Sequence, residues 1–264
     1  MPRIRIWQWP NLLALDAALI ALAWQQTWAL STGFQLSPPT RLVLALSVWL
    51  TYTADHLFDV AQRPATQLQS ARHRFAKQHF RGLVGLWGLL LVANLSIALR
   101  YLDALQLRQG GCLLLACLLY TGLSQFCSRS FFPKEICVAV IYAWGTTALL
   151  PHTGAPLALA NVSLALLCLI NCLMISAKER PIDAALQVRS LNHVPRHWMR
   201  GLVLAAALPL IWVDAPLALG GACSLAALSV LQRSEARLSI EAFRVLADAA
   251  LLLGPAAVWL SWRG

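Results

Sequence analysis

The stretch "TYTADHLFDV" (51–60) ends an apolar run long enough to be a membrane helix, and it carries Asp55 and Asp59 four residues apart. On a helix that spacing puts both carboxylates on one face, with Thr51 on the same face a turn earlier. A second acidic pair lies in "NCLMISAKERPIDAAL" (171–186), where Glu179 and Asp183 are again four apart at the end of an apolar run. Pro181 falls between them, so the pair is expected in a helix break or on the first turn of a loop helix.

The rest of the chain agrees with a membrane setting. Of 264 residues, 59% are hydrophobic and 12% charged, which excludes an ordinary soluble domain. About nine apolar segments have lengths near that of a bilayer crossing. They run over Pro10–Leu30, Thr40–Val60, Gly82–Tyr101, Gly111–Cys127, Ile136–Leu150, Leu157–Ser176, Met199–Val213, Leu217–Leu231 and Phe243–Trp259. The expected fold is therefore all-α, a polytopic bundle of about nine transmembrane helices forming one domain over residues 1–264. Asp16 interrupts the first segment, which is read as a span and not as a secretory signal. Seven cysteines, most of them inside apolar runs, form no disulfide framework.

The net charge of +10 bears on membrane sidedness and not on nucleic acid. With nine crossings, seventeen of the 21 Lys and Arg residues collect on one side, leaving Arg41, Arg100, Arg108 and Arg263 on the other. Cytoplasmic loops are enriched in both residue types, so the amino terminus and both acidic pairs are placed inside.

Either pair taken alone suits a solvated helix end. Two pairs at matching ends of spans four crossings apart suit a shared site, and clustered carboxylates call for cationic company. Mg²⁺ takes oxygen ligands and is usually held by one or two carboxylates plus substrate phosphates. Asp55, Asp59, Glu179 and Asp183 are thus the expected catalytic metal ligands, clamping a diphosphate through Mg²⁺. Arg63, Arg72, Arg74, Lys77, Lys134 and Lys178 are the expected contacts to its oxygens. Trp49, Tyr52, Phe58, Tyr142 and Trp144 would line the space for an apolar tail.

On these residues the chain resembles the UbiA superfamily of intramembrane prenyltransferases, over nearly its whole length. That family carries Asn-x-x-x-Asp-x-x-x-Asp on its second helix and Asp-x-x-x-Asp on its sixth, matched here by Thr51, Asp55 and Asp59 and by Glu179 and Asp183. "SARHRF" (70–75) is similar to the family's basic loop, with Arg72 and Arg74 at the matching positions. The departures are Thr51 for Asn, Glu179 for Asp, Ser176 where members often carry another Asp, and Tyr120 with Ser124 where the family has Tyr-x-x-x-Lys. The resemblance implies Mg²⁺-dependent ionisation of an isoprenyl diphosphate and transfer of the prenyl group to a lipophilic or aromatic acceptor. It also implies a multi-pass protein of the bacterial inner membrane with a cytoplasmic active site. A UbiA-type terpene cyclase would share the first step.

Asp16 and Asp248 fall inside spans, where an ionisable side chain is a functional hypothesis by default. Asp16 would orient an acceptor or assist proton removal, or simply bond to a neighbouring helix. Together the two acids suggest a transporter as an alternative, and the motif departures leave an inactive membrane scaffold as another. His56, between the two aspartates, would bond one of them, face the diphosphate or pack. Cys168 and Cys172 lack a histidine in register for a metal site, and His193 and His197 suit a basic loop. "RSEARLSIEAFR" (233–244) alternates charges as a solvated segment does and is assigned no chemistry.

Overall fold

Ser37 starts the helix that carries the first acidic pair. Its hydroxyl accepts from the Thr40 backbone N–H (3.3 Å) and bonds the Thr40 hydroxyl (2.8 Å), ahead of the prolines of "SPPT". Serine at the N-cap with proline just inside is a favoured helix start, because the first N–H groups have no partner within the helix.

The computed structural model describes residues 5–61, 70–127, 133–150, 155–185, 191 and 195–262. Among them every regular element is a helix: α1 (Trp9–Leu12), α2 (Leu15–Thr32), α3 (Pro38–Ala61), α4 (Ala71–Gln78), α5 (Phe80–Tyr101), α6 (Ala104–Cys127), α7 (Lys134–Thr147), α8 (Ala155–Ala185), α9 (Arg196–Ala207), α10 (Ala215–Arg233) and α11 (Ile240–Trp262). Six of the nine apolar segments lie within a single helix, whereas Pro10–Leu30 is divided between α1 and α2, and Ile136–Leu150 and Met199–Val213 run past the ends of α7 and α9. Among the described residues, four helices are long and apolar enough to cross a membrane, or five if the bent pair α1 and α2 counts as one span. α3 is long enough but carries Arg41, Asp55 and Asp59, and α7 is short.

Large apolar side chains face outward along α5 (Leu89, Val92, Leu99) and α6 (Leu115, Leu118, Leu119). Water would penalise such a surface, whereas lipid tails are as apolar as the side chains themselves. The chain is an integral membrane protein on this composition.

The core forms where α2, α7, α8, α10 and α11 meet, around Trp24, Trp28, Leu164, Ile170, Leu228 and Phe243. α10 and α11 approach closely at Gly220 and Gly254: a Cβ on Gly254 would stand 2.2 Å from the Gly220 carbonyl oxygen. Pro255 has no N–H and so releases the carbonyl of Leu251 from the α11 ladder. That carbonyl accepts from the Trp24 indole (3.0 Å) and from the Ser224 hydroxyl (3.3 Å). Neighbouring helices thus satisfy a backbone group that lipid could not.

Two local features shape the interior. α1 and α2 meet at 79°, with Ala14 between them at φ 53, and the Trp49 indole donates to the Leu13 carbonyl at the bend (2.8 Å). α8, in contrast, runs through Pro181 to Ala185, so the break expected there does not occur. A proline forfeits one ladder bond, and near a helix end few remain to be lost.

Candidate functional site

A cavity of about 200 Å³ opens between the bent α1–α2 pair and α3, α4, α6, α7, α8 and α11. Each helix presents residues at helical spacing. α3 contributes Tyr52, Asp55 and His56; α8 contributes Cys168, Asn171, Cys172, Ile175, Ser176 and Glu179; α11 contributes Arg244, Asp248 and Leu251. Spacings of three and four keep such residues on one stripe. α7 adds Lys134, Glu135 and Tyr142, α4 adds Arg72, α6 adds Tyr120, and the bend adds Asn11 and Asp16.

Asp55 and Glu179, one from each acidic pair, line the same space. Glu179 is ion-paired with Arg244, and Arg72 Nη2 lies 3.7 Å from its other oxygen. Glu135 is buried and accepts from the Ser176 hydroxyl at 2.7 Å and from the Leu191 backbone N–H at 3.4 Å. Asp16 accepts from the Asn11 amide (2.8 Å) and the Ala17 N–H (2.9 Å), and Asp248 accepts from the Asn171 amide (3.0 Å). Carboxylates on the wall therefore outnumber the cationic groups Arg72, Lys134 and Arg244. Among the described residues, no group of three or more His, Cys, Asp or Glu is placed to hold a metal by itself.

No family model, no curated protein and no solved structure matches this chain.

Of the residues expected from sequence, Asp16, Tyr52, Asp55, His56, Arg72, Tyr120, Lys134 and Glu179 line the cavity. Tyr120 bonds Ser124, its partner one turn on, and Lys134 reaches the wall from the start of α7. Others are placed elsewhere. Thr51 bonds back to the Ser47 carbonyl (2.9 Å) and to Cys117 on α6, outside the cavity lining. Asp59 lies 3.5 Å from His73 Nε2 of α4. The reason is the helical period: each step of four residues turns the stripe by about 40°, so Thr51 and Asp59 diverge from the direction in which Asp55 points.

Lys77 donates to the Val60 carbonyl at 2.7 Å, closing the end of α3, and lies beside a separate surface depression with His79 and Arg81. Lys178 donates to the Glu235 carbonyl (2.8 Å) and sits over the Phe243 ring. Arg74 is exposed on α4, outside the lining. Arg63 and the side chain of Asp183 lie outside the described residues.

The polar and charged cavity-lining residues that the sequence did not single out are Asn11, Glu135, Asn171 and Arg244. Arg244 ends "RSEARLSIEAFR", assigned no chemistry above, yet its guanidinium is buried against Glu179. Its signal was there: it precedes Asp248 by one turn, and beyond Asp248 α11 carries no further charge. Asn171 likewise falls on the stripe obtained by stepping back from Glu179 in threes and fours.

His73 ties α4 to this region. It is buried, packs edge-on against His56 (centroids 6.1 Å, 83°), and faces Asp59. Burial pushes its imidazole below the ordinary histidine value, with Arg72 in the same direction and the Asp59 carboxylate opposing.

Proposed function

We propose that this protein is a membrane-embedded enzyme of the UbiA type, which ionises an isoprenyl diphosphate and transfers the prenyl group to an acceptor. The observation that carries the reading is the cavity itself: Asp55 and Glu179, far apart in sequence, line it together with Arg72, Lys134 and Arg244. The finer expectations belong to the same proposal. These are nine crossings, an inward-facing amino terminus and site, and a bacterial inner membrane.

The excess of carboxylates suits a divalent cation that arrives with a diphosphate. Asp55 and Glu179 are hard oxygen donors that would hold Mg²⁺, Glu179 by exchanging an arginine contact for the ion. When bound, Mg²⁺ supplies positive charge against the leaving diphosphate. Arg72, Lys134 and Arg244 offer direct hydrogen bonds to the diphosphate oxygens as the C–O bond breaks. Glu135, hydrogen-bonded to Ser176, brings a carboxylate to the place where the family often carries an aspartate. Tyr52 and Tyr142, edge to face at 6.3 Å, offer aromatic surface to an allylic cation while the apolar wall excludes water.

Diphosphate release by the purified full-length protein from geranyl, farnesyl or geranylgeranyl diphosphate with Mg²⁺ tests this reading. Release is expected, and Asp55→Ala is expected to reduce it at least tenfold. No release from any of the three, or release unchanged in Asp55→Ala, would sink the assignment. Release that needs no acceptor and yields a cyclic hydrocarbon identifies the cyclase alternative.

A further inference from the structure

We propose that the depression where α4 passes into α5 is a binding site for an anionic phospholipid, with the phosphate among Lys77, His79 and Arg81 and the acyl chains along α5. The site is separate from the cavity described above and does not rest on the prenyl-transfer reading.

The depression holds about 690 Å³ and lies at the first turn of α5, a helix long and apolar enough to cross a membrane. The first turn of such a span stands at the level of the lipid headgroups. Lys77, His79 and Arg81 line the space, and among the described residues no carboxylate does. The sequence around it agrees, since from Val60 to Leu102 the chain has neither Asp nor Glu. His79 and Arg81 are exposed. Lys77 donates to the Val60 carbonyl at 2.7 Å, which fixes the ammonium beside the depression and leaves its charge in place. A basic recess at the headgroup level attracts anionic lipid.

Further along α5 the lining turns apolar. Phe80 and Leu83 pack against Val60 and Ala76 and close the floor. Leu83 and Leu86 follow His79 at steps of four and three, so the cationic end leads into apolar surface on one side of the helix. Leu86 is exposed, as are Leu89 and Val92 beyond it, and only 6% of the apolar window of α5 is buried by the rest of the protein. A free phosphate would use the cations alone, whereas a diacyl phosphodiester uses the cations and the apolar surface together. A zwitterionic headgroup brings its own cation towards the same wall, so the anionic lipid is preferred.

Gly82 keeps the recess open. A Cβ on it would meet no atom within 4 Å, so a larger side chain there enters the depression without displacing protein.

The test titrates the purified full-length protein in detergent with dioleoyl phosphatidylglycerol and dioleoyl phosphatidylcholine, and follows bound lipid by native mass spectrometry. Phosphatidylglycerol is expected to bind at least fivefold more tightly, since one basic side chain at a membrane surface contributes about that factor. The preference should be lost in the double variant His79→Gln/Arg81→Gln, and also in Gly82→Leu, which fills the recess with its charges intact. The three positions are exposed, and leucine favours a helix more than glycine does, so both variants should melt at or above the wild-type temperature by circular dichroism. Equal affinity for the two lipids, or a preference unchanged in either variant, would overturn the site. Displacement of phosphatidylglycerol by an equal concentration of inorganic diphosphate would make the occupant a free anion and overturn the lipid assignment.

Discussion

Arg244 of α11 is ion-paired with Glu179 of α8, and both side chains are almost wholly withdrawn from solvent. Removing one partner of such a pair leaves an uncompensated buried charge, which costs about 3–5 kcal/mol. Arg72 also approaches Glu179, at 3.7 Å, so the lower end of that range applies. Arg244→Met is therefore expected to lose about 3 kcal/mol in denaturant unfolding in micelles. Adding Glu179→Gln should restore part of the loss, because the charge left behind is then gone. If the double variant is less stable than Arg244→Met by the full cost of Glu179→Gln alone, the two residues are not coupled.

Lys134 and Lys178 were equivalent in the sequence as basic residues near the expected site, and the structure separates them. Lys134 lines the cavity, while Lys178 is committed to the Glu235 carbonyl. A charge-assisted hydrogen bond is worth about 1.5–3 kcal/mol, or roughly tenfold to a hundredfold in an equilibrium or rate. Lys134→Met should raise the KM for the isoprenyl diphosphate by at least tenfold. Lys178→Met should leave it within about twofold. Equal effects of the two substitutions would remove Lys134 from the diphosphate site.

The buried His73 gives stability a pH dependence of known sign. Its folded pKa is below the unfolded value, so between the two values the unfolded chain binds more protons and stability rises with pH. The contribution is present above the unfolded value, about 6.5, and is lost as pH falls through the folded one. Wild-type protein should therefore unfold at lower temperature at pH 5 than at pH 7, and His73→Gln should show a smaller difference. An identical difference in the variant would assign the pH dependence to other groups.

The fold was legible where hydrophobic runs are long: the apolar segments are helical, since membrane helices must satisfy their backbone internally wherever they occur, but the bend that divides Pro10–Leu30 into α1 and α2 was not. Asp55 and Glu179 were legible because two acids at helix ends are costly enough to be noticed. Thr51 and Asp59 were placed with Asp55 by a spacing of four, but helical drift turns them away from the cavity that Asp55 lines. Pro181 misled in the opposite way, because near a helix end its missing donor costs little. Arg244 was hidden by its neighbours. In a run of alternating charges only its position one turn before Asp248 marks it, and its partner on α8 identifies it. Glu135 depends in the same way on its contact with Ser176 of α8, which no local pattern encodes, whereas Asn171 follows from the stripe that Glu179 defines.

The contact between α10 and α11 holds Arg244 and Asp248 in register with the cavity, and it depends on two glycines to unequal degrees. A Cβ on Gly254 would stand 2.2 Å from the Gly220 carbonyl oxygen and 2.5 Å from the Ser224 hydroxyl oxygen; the first is backbone and cannot swing aside. A Cβ on Gly220 would meet the Val258 Cγ2 atom at 3.3 Å, a contact that a shift of a few tenths of an ångström relieves. Adding a methyl group to a well-packed contact costs about 1–3 kcal/mol. Gly254→Ala belongs at or above the upper end of that range, because the helices must separate, and the Gly254 N–H bond to Ser224 (3.1 Å) weakens with them. Gly220→Ala belongs at the lower end. Thermal unfolding of the two variants should differ in that order, with diphosphate release falling in Gly254→Ala as Arg244 and Asp248 move with α11. Equal destabilisation by the two substitutions would mean that the helices do not cross at Gly254.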